Sequence, residues 1–350
     1  MPPLPTAVVV GATGAVGEVM RRLLAERRLP VGEVRLVASA RSVGRLLPFR
    51  DEQVEVRPLA PEVFEGARLA LFSAGGGISR EWAPVAAAHG AVVVDNSSAW
   101  RMHPEVPLVD ADVNPRLALD HPLGIVANPN CTTLAITPAL AVLRDLFGLA
   151  AITPTSFQAA GGAGQRAMDE LVEQAAKLVG EPELLRRGGR PAALPRGEVF
   201  PRPLAFNVVP QCMGFDDSGY TVEELKLRDE PRKILGLPAL ASHPTCVRVP
   251  VMVGHSVSVR AVCERPVDLA AFRRALGRAP GVTVLDDVST NLYPTPLEAV
   301  GSDGVLVGRI RADLEDPNAV LFWSVADNLR KGAALNAVQI AEVLLGSDPR

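Results

Sequence analysis

Paired cysteines are missing from this chain of 350 residues. Its four cysteines are Cys131, Cys212, Cys246 and Cys263. None belongs to a C-x-x-C motif, so the sequence predicts neither a disulfide framework nor a zinc or other metal site. This cysteine usage favours a reducing compartment.

The sequence predicts neither a secretory leader nor a membrane span. Residues 1–6 carry no lysine or arginine, and the apolar run at residues 7–10 is too short for a secretory signal or a membrane span. The formal net charge is only −3, which argues against nucleic-acid binding. We therefore expect a soluble, cytoplasmic protein with neither a nucleic-acid nor a membrane partner. The chain is long enough for two packed domains.

Short apolar runs alternate with helical periodicity in the first part of the chain. The runs lie at residues 7–10, 34–38, 69–72 and 91–94. The residues that recur with helical period after the first run are Val16, Val19, Met20, Leu23 and Leu24. Continuous apolar strands that alternate with helices are typical of a parallel sheet covered on both faces. We therefore predict an α/β, Rossmann-type domain.

Strand patterns dominate the second part of the chain. They occur at residues 246–253, 256–262, 282–285, 305–311 and 319–325. Together with an amphipathic helix at residues 165–179, they indicate an α+β domain with a mainly antiparallel sheet. The helical pattern at residues 332–345 is expected to pack back against the first domain. The predicted domains are residues 1–131 with 328–350, and residues 132–327.

A G-x-x-G-x-x-G turn joins the first strand to the first helix. Its spacing departs from the dinucleotide-binding G-x-G-x-x-G motif, but its position is the required one. Glycines there let the backbone approach a pyrophosphate that lies on the helix amides. A tight turn without a ligand is the alternative. The residues predicted to hold the dinucleotide are Gly11, Thr13, Gly14, Ala15, Val16 and Gly17, with Ser73 and Gly75 after the third strand.

The segment after the second strand predicts which dinucleotide binds. An NAD site places Asp or Glu there for the ribose 2′-hydroxyl, whereas this chain has Ser39, Arg41 and Ser42. Hydroxyls and a guanidinium suit a 2′-phosphate, so the predicted cofactor is NADP. The alternative is that Arg41 is exposed and binds nothing.

Cys131 follows a tight turn, Asn128-Pro129-Asn130, at the predicted start of a helix. Unpaired amides and the positive end of a helix dipole stabilise a thiolate, so we expect the pKa of the thiol to be lowered toward neutrality. The amides of Asn130 and Cys131 are candidates to hold a developing oxyanion. The alternative is a buried, inert thiol.

Four motifs resemble those of the aspartate-semialdehyde dehydrogenase family. They are GATGAVG at 11–17, DNSSAWR at 95–101, NPNCTT at 128–133 and QAAGGAG at 158–164. Later similarity at residues 223–226, 248–255 and 327–339 extends the resemblance over nearly the whole chain. It implies the NADPH-dependent reductive dephosphorylation of aspartyl 4-phosphate to aspartate 4-semialdehyde in a homodimer. This reaction stands at the branch point toward lysine or diaminopimelate, methionine and threonine.

The resemblance also implies catalytic roles. Cys131 attacks the acyl phosphate and forms a thioester that accepts hydride, which suits a nucleophilic thiolate that also departs readily. Asn130 stands beside it in the matching motif, and Gln158 orients the nucleophile and the intermediate. His255 is the general acid/base, because imidazole has a pKa near the operating pH; a satisfied core histidine is the alternative.

Four charged residues match the substrate-binding positions of the family. Arg248 clamps the substrate carboxylate through two parallel hydrogen bonds, and Glu223 meets the substrate ammonium. Arg101 and Lys226 bind the phosphate leaving group. The alternative for Lys226 is a surface ion pair with Glu223 on the same helix face.

Two local patterns predict the backbone around these residues. Thr221 and Glu224 fit a capping box, which leaves Glu223 for the substrate. Arg248 and His255 have opposite parity along a regular strand, so their side chains would point to opposite faces. Both can face one pocket only if the strand ends or bulges near Gly254, and we predict that break.

Gly161, Gly162, Asn328 and Gln339 match positions near the nicotinamide. Glycines let the nicotinamide approach the backbone closely. The family commonly has serine at the position of Gly161, so this chain lacks one hydroxyl near the cofactor or the dimer contact. For Asn328 and Gln339, the alternative is a helix with an ordinary polar entry segment.

Two other functions stay open at this point. N-acetyl-glutamyl-phosphate reductase uses the same thioester logic, but its substrate carries a neutral acetamide, which would leave the Glu223 carboxylate unpaired. The other is a catalytically silent NADP-binding paralogue. Such a protein would not need the catalytic residues, yet every catalytic residue type is present in this chain. The Pro/Arg-rich loop at residues 181–203 is expected to be a mobile flap or part of the dimer contact.

Overall fold

Two seven-stranded sheets follow one another along the chain in the computed structural model, which describes residues 4–187 and 197–346. The first sheet contains β1 (Thr6–Val10), β2 (Val34–Val37), β3 (Leu46–Phe49), β4 (Glu52–Arg57), β5 (Ala67–Phe72), β6 (Val92–Asp95) and β7 (Ile125–Ala127). Their order is β3-β4-β2-β1-β5-β6-β7, and all neighbours are parallel except β3 and β4. The predicted Rossmann-type sheet is confirmed; β3, β4 and β7 have no predicted counterpart.

Both faces of the first sheet are buried because its central strands are apolar throughout. Along β1, Ala7 and Val9 pack into one hydrophobic cluster, while Val8 and Val10 pack into a different one. Helix α1 (Ala15–Glu26) contributes to the first cluster and helix α2 (Gly76–Ala88) to the second. This is the burial pattern of a parallel sheet covered by helices on its two faces.

The second sheet contains β8 (Leu149–Gln158), β9 (Ala241–Ser242), β10 (Thr245–Arg248), β11 (His255–Cys263), β12 (Val282–Val284), β13 (Val305–Ala312) and β14 (Ala319–Ala326). The long strands β8, β11, β14 and β13 pair antiparallel in that order, and β9, β10 and β12 add short parallel pairings. The mainly antiparallel sheet is confirmed. The predicted strand at 246–253 is wrong after Arg248, and β8 has no predicted counterpart.

Eight further helices occur in the described residues. They are α3 (Cys131–Leu134), α4 (Thr137–Phe147), α5 (Gln165–Val179), α6 (Pro182–Arg187), α7 (Val222–Leu235), α8 (Leu269–Leu276), α9 (Pro296–Ala299) and α10 (Asn336–Leu344). Helix α5 coincides with the predicted amphipathic helix. The predicted capping box opens α7, where the Thr221 hydroxyl and the Glu224 carboxylate each accept the other residue's amide. Among the described helices, none combines the length and apolar character that a membrane crossing requires.

The end of the chain returns to the first sheet. A π-helical turn at Arg330–Leu335 leads into α10, where Val338 and Ile340 share a buried cluster with Met20 and Leu23 of α1. The predicted return of the last helix is confirmed. The two predicted domain boundaries stay predictions, and their outermost residues 1–3 and 347–350 lie outside the described parts.

The predicted loop at residues 181–203 is only partly described. Its first part forms α6 instead of a loop, and residues 188–196 lie outside the described residues. Residues 197–203 line a large cavity. The carboxylate of Glu170 on α5 accepts the amides of Glu198 and Val199 at 2.7 Å each, which fixes this wall.

Candidate active site

A cavity of about 1350 Å³ opens where strands of both sheets end. Val16, Asn96 and Cys131 line it and follow the carboxyl ends of β1, β6 and β7. Ligands of parallel α/β sheets bind at this edge. Gln158, the last residue of β8, and Arg248, the last residue of β10, also line the cavity, so both sheets contribute to it.

The cavity brings together most of the predicted catalytic and substrate-binding residues and some of the predicted cofactor-binding residues. Those that line it are Cys131, Asn130, Gln158, Arg248, Glu223, Arg101, Lys226, Val16, Gly75, Gly161, Gly162 and Asn328. Predicted residues outside its lining are Gly11, Thr13, Gly14, Ala15, Gly17, Ser39, Arg41, Ser42, Ser73, His255 and Gln339. Lining residues that had no predicted role include Ser97, Ser98, Phe200, Met213 and Gly332.

Cys131 opens α3, as the sequence predicts, and Asn130 is its N-cap. The Asn130 side-chain oxygen accepts the amides of Thr132 at 2.8 Å and Thr133 at 3.4 Å. The backbone amide of Asn130 donates to Oε2 of Glu230 at 2.7 Å. The prediction that this amide holds an oxyanion is therefore wrong, since a buried carboxylate already occupies it.

The protein groups around Cys131 do not activate its thiol. Burial, the largest cause, and the Glu223 carboxylate together raise its pKa to about 11. Arg101, Lys226 and Arg248 each lower the pKa without outweighing the burial. The prediction of a lowered pKa is contradicted, because burial outweighs the three cations, and the Asn130 side chain already caps two of the amides at the start of α3.

Glu223 is a buried, ionised carboxylate with four partners inside the protein, one of them the Thr132 hydroxyl, which donates at 3.5 Å. Its oxygens accept from Nδ2 of Asn130 at 2.9 Å, Nε2 of Gln158 at 3.2 Å and Nζ of Lys226 at 3.0 Å. Burial by itself raises the pKa of Glu223, but Lys226 and Asn130 outweigh it and hold the pKa at about 2. The capping box does leave Glu223 for the cavity, but its carboxylate is paired there.

His255 lies directly beneath the turn that carries Gly162. A β-carbon added at Gly162 would lie 2.8 Å from Nε2 of His255 and 3.1 Å from Nη1 of Arg248, so these side chains reach the same point. Between them Gly254 has a φ of +102°, and β10 has already ended. The predicted break is confirmed.

The protonation state of His255 differs from the expected one. Its Nδ1 accepts the amide of Ala159 at 3.0 Å, which assigns the proton of the neutral ring to Nε2. Burial, aided by the positive charge of Arg248, lowers the pKa of His255 to about 3. Nε2 is buried without a hydrogen-bond partner among the described residues. At neutral pH this imidazole is therefore a hydrogen-bond donor, and its predicted pKa near the operating pH is wrong.

Three cations surround the nucleophile. Arg248 is 6% exposed, donates to the Ala159 carbonyl at 2.7 Å and lies over the ring of Phe200 at 6.0 Å. Arg101 pairs with Glu230 at 3.0 Å. Lys226 pairs with Glu223 and also contacts the sulfur of Met213 at 3.0 Å. Such a cluster suits a ligand with several negative charges.

Two glycines of the turn after β1 are packed so closely against backbone atoms that no side chain would fit. A β-carbon at Gly11, where φ is +89°, would lie 2.4 Å from the Ser73 carbonyl oxygen. One at Gly17 would lie 2.1 Å from the Gly11 carbonyl oxygen. Gly14 is exposed and caps α1, so its side of the turn and the first helix amides are accessible to an anion.

The predicted 2′-phosphate site follows β2, beside this turn. Ser39 and Arg41 are exposed, whereas Ser42 is buried, so its hydroxyl is the least accessible of the three predicted donors. No Asp or Glu stands among residues 38–42. The exposed donors and the glycine turn fit a phosphorylated dinucleotide.

The predicted nicotinamide end combines Gly161 and Asn328. A β-carbon at Gly161 would lie 2.9 Å from the Met252 carbonyl oxygen, which accepts the Gly161 amide at 2.8 Å. Asn328 accepts the Gly254 amide, and its Nδ2 is buried with no partner in the described part of the chain. Gln339 instead accepts from buried Lys331 at 3.2 Å.

The fold and the cavity together are those of a dinucleotide-dependent dehydrogenase. Residues 6–121 match the profile of the semialdehyde dehydrogenase NAD binding domain, and residues 140–331 match that of the semialdehyde dehydrogenase dimerisation domain. The aspartate-semialdehyde dehydrogenase of Streptomyces akiyoshiensis is 48% identical over 96% of this chain and 97% of its own. That of Bacillus subtilis is 43% identical over 96% of both chains.

A solved structure supports the same assignment. The crystal structure of aspartate semialdehyde dehydrogenase II from Vibrio cholerae, complexed with ASA, superimposes with a TM-score of 0.92 at 39% identity and covers 99% of both chains. The chain belongs to the aspartate-semialdehyde dehydrogenase family.

Proposed function

We propose that the protein catalyses the NADPH-dependent reductive dephosphorylation of L-aspartyl 4-phosphate to L-aspartate 4-semialdehyde and phosphate. The observation that carries the proposal is the position of Cys131 in one cavity with Arg101, Lys226 and Arg248 and with the Glu223 carboxylate. The substrate has a carboxylate, an ammonium and a phosphate group, and these side chains complement each of them. The relative from Vibrio cholerae was crystallised with ASA. The product stands at the branch toward lysine or diaminopimelate, methionine and threonine.

Binding of the substrate exchanges ion-pair partners. Its carboxylate meets Arg248, and its ammonium replaces Lys226 beside Glu223. Lys226 then turns to the phosphate with Arg101. The ammonium also neutralises Glu223, which removes one cause of the raised pKa of Cys131 and favours the thiolate.

The chemistry divides among residues of the cavity. The Cys131 sulfur loses its proton and forms a bond to the acyl carbon, the bond from that carbon to the phosphate oxygen breaks, and the phosphate leaves with one proton as HPO4²⁻ and stays between Arg101 and Lys226. The Nε2 proton of His255 is a donor for the oxygen on the acyl carbon. Gln158, beside Glu223, orients the nucleophile and the intermediate. When bound, the reduced nicotinamide supplies hydride to this carbon, and Cys131 departs as the aldehyde forms.

The proposed cofactor is NADP, held by the glycine turn, Ser39 and Arg41, with its nicotinamide near Gly162 and Asn328. Arg41→Ala should raise the KM for NADP about tenfold, since a charge-assisted contact to the 2′-phosphate is lost. Turnover with NAD should change little. Arg68→Ala, which removes an exposed arginine at the amino end of β5, is the control. Equal KM values for NADP in the two variants would count against this assignment.

The proposed assembly is a homodimer. The matched dimerisation-domain profile supports it, and so do exposed apolar side chains in the segment before α7. These are Phe206, Val208, Met213, Phe215 and Tyr220. Sedimentation at several protein concentrations tests the dimer. A cytoplasmic location stays a prediction, in keeping with four cysteines that are all unpaired thiols.

The deciding assay follows NADP reduction with aspartate semialdehyde, with and without inorganic phosphate. We expect turnover that requires phosphate, is abolished by Cys131→Ser and survives Cys263→Ser, which changes a buried cysteine outside the cavity. N-acetyl-glutamate semialdehyde must be assayed in parallel, because the internal partners of Glu223 mean that its charge alone does not exclude a neutral acetamide. Absence of phosphate-dependent turnover with aspartate semialdehyde would remove the proposal and favour the reductase or the silent paralogue.

A further inference from the structure

Helix α7 carries four charged residues on one face. Glu223, Lys226, Glu230 and Lys233 are spaced three, four and three residues apart, which aligns their side chains along the helix. The first two line the cavity. The other two are not part of its lining, yet each contacts a segment that carries a cavity residue.

Glu230 bridges two of these segments with one carboxylate. It is 1% exposed. Oε1 accepts a hydrogen bond from Nη1 of Arg101 at 3.0 Å, and Oε2 accepts one from the backbone amide of Asn130 at 2.7 Å. Asn130 immediately precedes Cys131. A single buried carboxylate therefore joins the proposed phosphate-binding guanidinium to the turn that presents the nucleophile.

Each of the three guanidinium nitrogens of Arg101 donates a hydrogen bond inside the protein. Nε donates to the Asn128 carbonyl at 2.8 Å and Nη2 to the Asn96 carbonyl at 2.9 Å, in addition to the Glu230 contact. A guanidinium has more N–H donors than these three contacts use, and Arg101 lines the cavity. The remaining donors are thus presented to a ligand in a fixed orientation.

Lys233 fixes the backbone of the same segment. Its ammonium donates to the carbonyls of Arg101, His103 and Val106 at 2.7 to 2.8 Å. Glu230 and Lys233 together hold the side chain and the main chain of Arg101 from one rigid helix. The substrate-facing Glu223 and Lys226 stand on the same helix, so α7 positions all of these groups relative to one another.

We propose that Glu230 is a positioning residue for phosphate, which sets the separation between the Arg101 guanidinium and Cys131. The inference rests on the proposed function. As the bond from the acyl carbon to the phosphate oxygen breaks, charge builds on the departing phosphate, and a guanidinium fixed at that point stabilises it without reorganising. Without Glu230 the guanidinium keeps one contact with the nucleophile turn, from Nε to the Asn128 carbonyl, and its Nη1 is no longer fixed.

Glu230→Gln is the sharpest test. The amide oxygen can still accept from the Asn130 amide, but the amide nitrogen cannot accept from Arg101, so only the contact with Arg101 is lost. We expect the KM for phosphate to rise about tenfold or more, since small misplacements of binding groups have effects of this size. The KM values for NADP and aspartate semialdehyde should stay within about twofold.

A second readout needs no turnover. Phosphate in the cavity should protect Cys131 from iodoacetamide, and the phosphate concentration for half protection should rise in Glu230→Gln by the same factor as the KM. Glu342→Gln is the matched control. Glu342 is 5% exposed and pairs with Arg27 at 2.7 Å, away from the cavity lining. It should lose stability and keep both phosphate constants.

Each outcome bears on one proposal. If the native enzyme shows no phosphate-dependent turnover, the proposed function fails before any variant is compared. If it does, and Glu230→Gln keeps the KM and half-protection values of Glu342→Gln, the positioning role is overturned. Should Glu230→Gln not fold, Glu230→Asp, whose shorter carboxylate cannot span both partners, is assayed in the same way. Failure of both to fold would make Glu230 a stability residue and would also overturn the role.

Discussion

Cys131 is subject to opposing influences from its neighbours. Burial and Glu223 keep its thiol protonated, while Arg101, Lys226 and Arg248 favour the thiolate. The balance in the unliganded protein lies with the thiol. Reactivity that depends on a bound substrate protects a cavity cysteine from stray electrophiles and oxidants.

The pH dependence of alkylation tests this balance. In the unliganded protein, iodoacetamide labelling of Cys131 should rise about tenfold per pH unit from pH 7 to pH 10, because the thiolate fraction grows in this proportion below a pKa of about 11. Glu223→Gln should lower the apparent pKa by removing a carboxylate that raises it. Mass spectrometry of the Cys131 peptide measures both, with Glu342→Gln as control. A plateau below pH 9 in the native protein would contradict the raised pKa.

Gly162 is predicted to be intolerant of any side chain. The added β-carbon of Gly162→Ala would lie 2.8 Å from Nε2 of His255 and 3.1 Å from Nη1 of Arg248, so both groups must move. We expect kcat/KM to fall about a hundredfold with little change in thermal midpoint. Gly180→Ala, where nothing lies within 4 Å of the new carbon, should be nearly neutral. Similar kinetics of the two variants would refute this role of Gly162.

At the scale of elements, α7 depends on its first turn. Thr221→Ala removes the hydroxyl that caps the Glu224 amide and should cost about 1 kcal/mol in the free energy of unfolding. Because α7 carries Glu223 and Lys226, the KM for aspartate semialdehyde should rise as well. Urea unfolding and steady-state kinetics measure the two effects.

Asp268 offers a matched control for this cap. Its carboxylate caps the amides of Ala270 and Ala271 at the start of α8, a helix that carries no cavity residue. Asp268→Ala should weaken that helix end and leave the KM unchanged. A change in KM of equal size in both variants would mean that the α7 cap has no special connection to the site.

Elements with a strong local signal could be predicted from the sequence. The capping box at Thr221 and the 3.6-residue period of α5 depend only on neighbours along the chain. Strand β8 could not be recognised, because its buried positions include the polar Ser156 and Gln158 and because it contains Pro154. The predicted strand at 246–253 stopped at Arg248 because Pro250 has no amide to donate to a ladder.

The sequence predicts which residues form the site, but it does not predict the environment that sets their pKa values. Motifs identified Cys131, His255 and Arg248, and the structure brings them to one cavity wall or just beneath it. The pKa values of Cys131 and His255 are set by burial, which no motif encodes. Glu230 had one available signal, its spacing of seven residues from Glu223, but its partners Arg101 and Asn130 lie far away in sequence.

At the scale of the whole molecule, the C-terminal segment is tied to the first sheet by a buried charge. Lys331 is 0% exposed, pairs with Asp112 at 2.5 Å and donates to Gln339. Nearby Asp110 is fully buried. Its burial raises its pKa to about 6, although Lys331 opposes the rise.

Removal of this cation should destabilise the protein in a pH-dependent way. Lys331→Met leaves buried carboxylates uncompensated and should cost about 3–5 kcal/mol at pH 7. The raised pKa of Asp110 means that its contribution to stability is present at low pH and is lost as pH rises through about 6. Loss of Lys331 raises that pKa further, so the deficit should be smaller at pH 5. Unfolding curves at both pH values measure it, with exposed Lys177→Met as control; a deficit independent of pH would contradict the role of Asp110.

Gly332, the next residue, packs directly on the nucleophile. A β-carbon added there would lie 2.8 Å from that of Cys131. The thiol is therefore enclosed by a segment that the ribosome adds after both sheets. In a nascent chain the cavity stays incomplete until residues 327–344 have left the exit tunnel. Enzymatic competence is thus acquired only after both sheets have been synthesised, and termination before residue 327 should yield a product whose Cys131 pocket is incomplete.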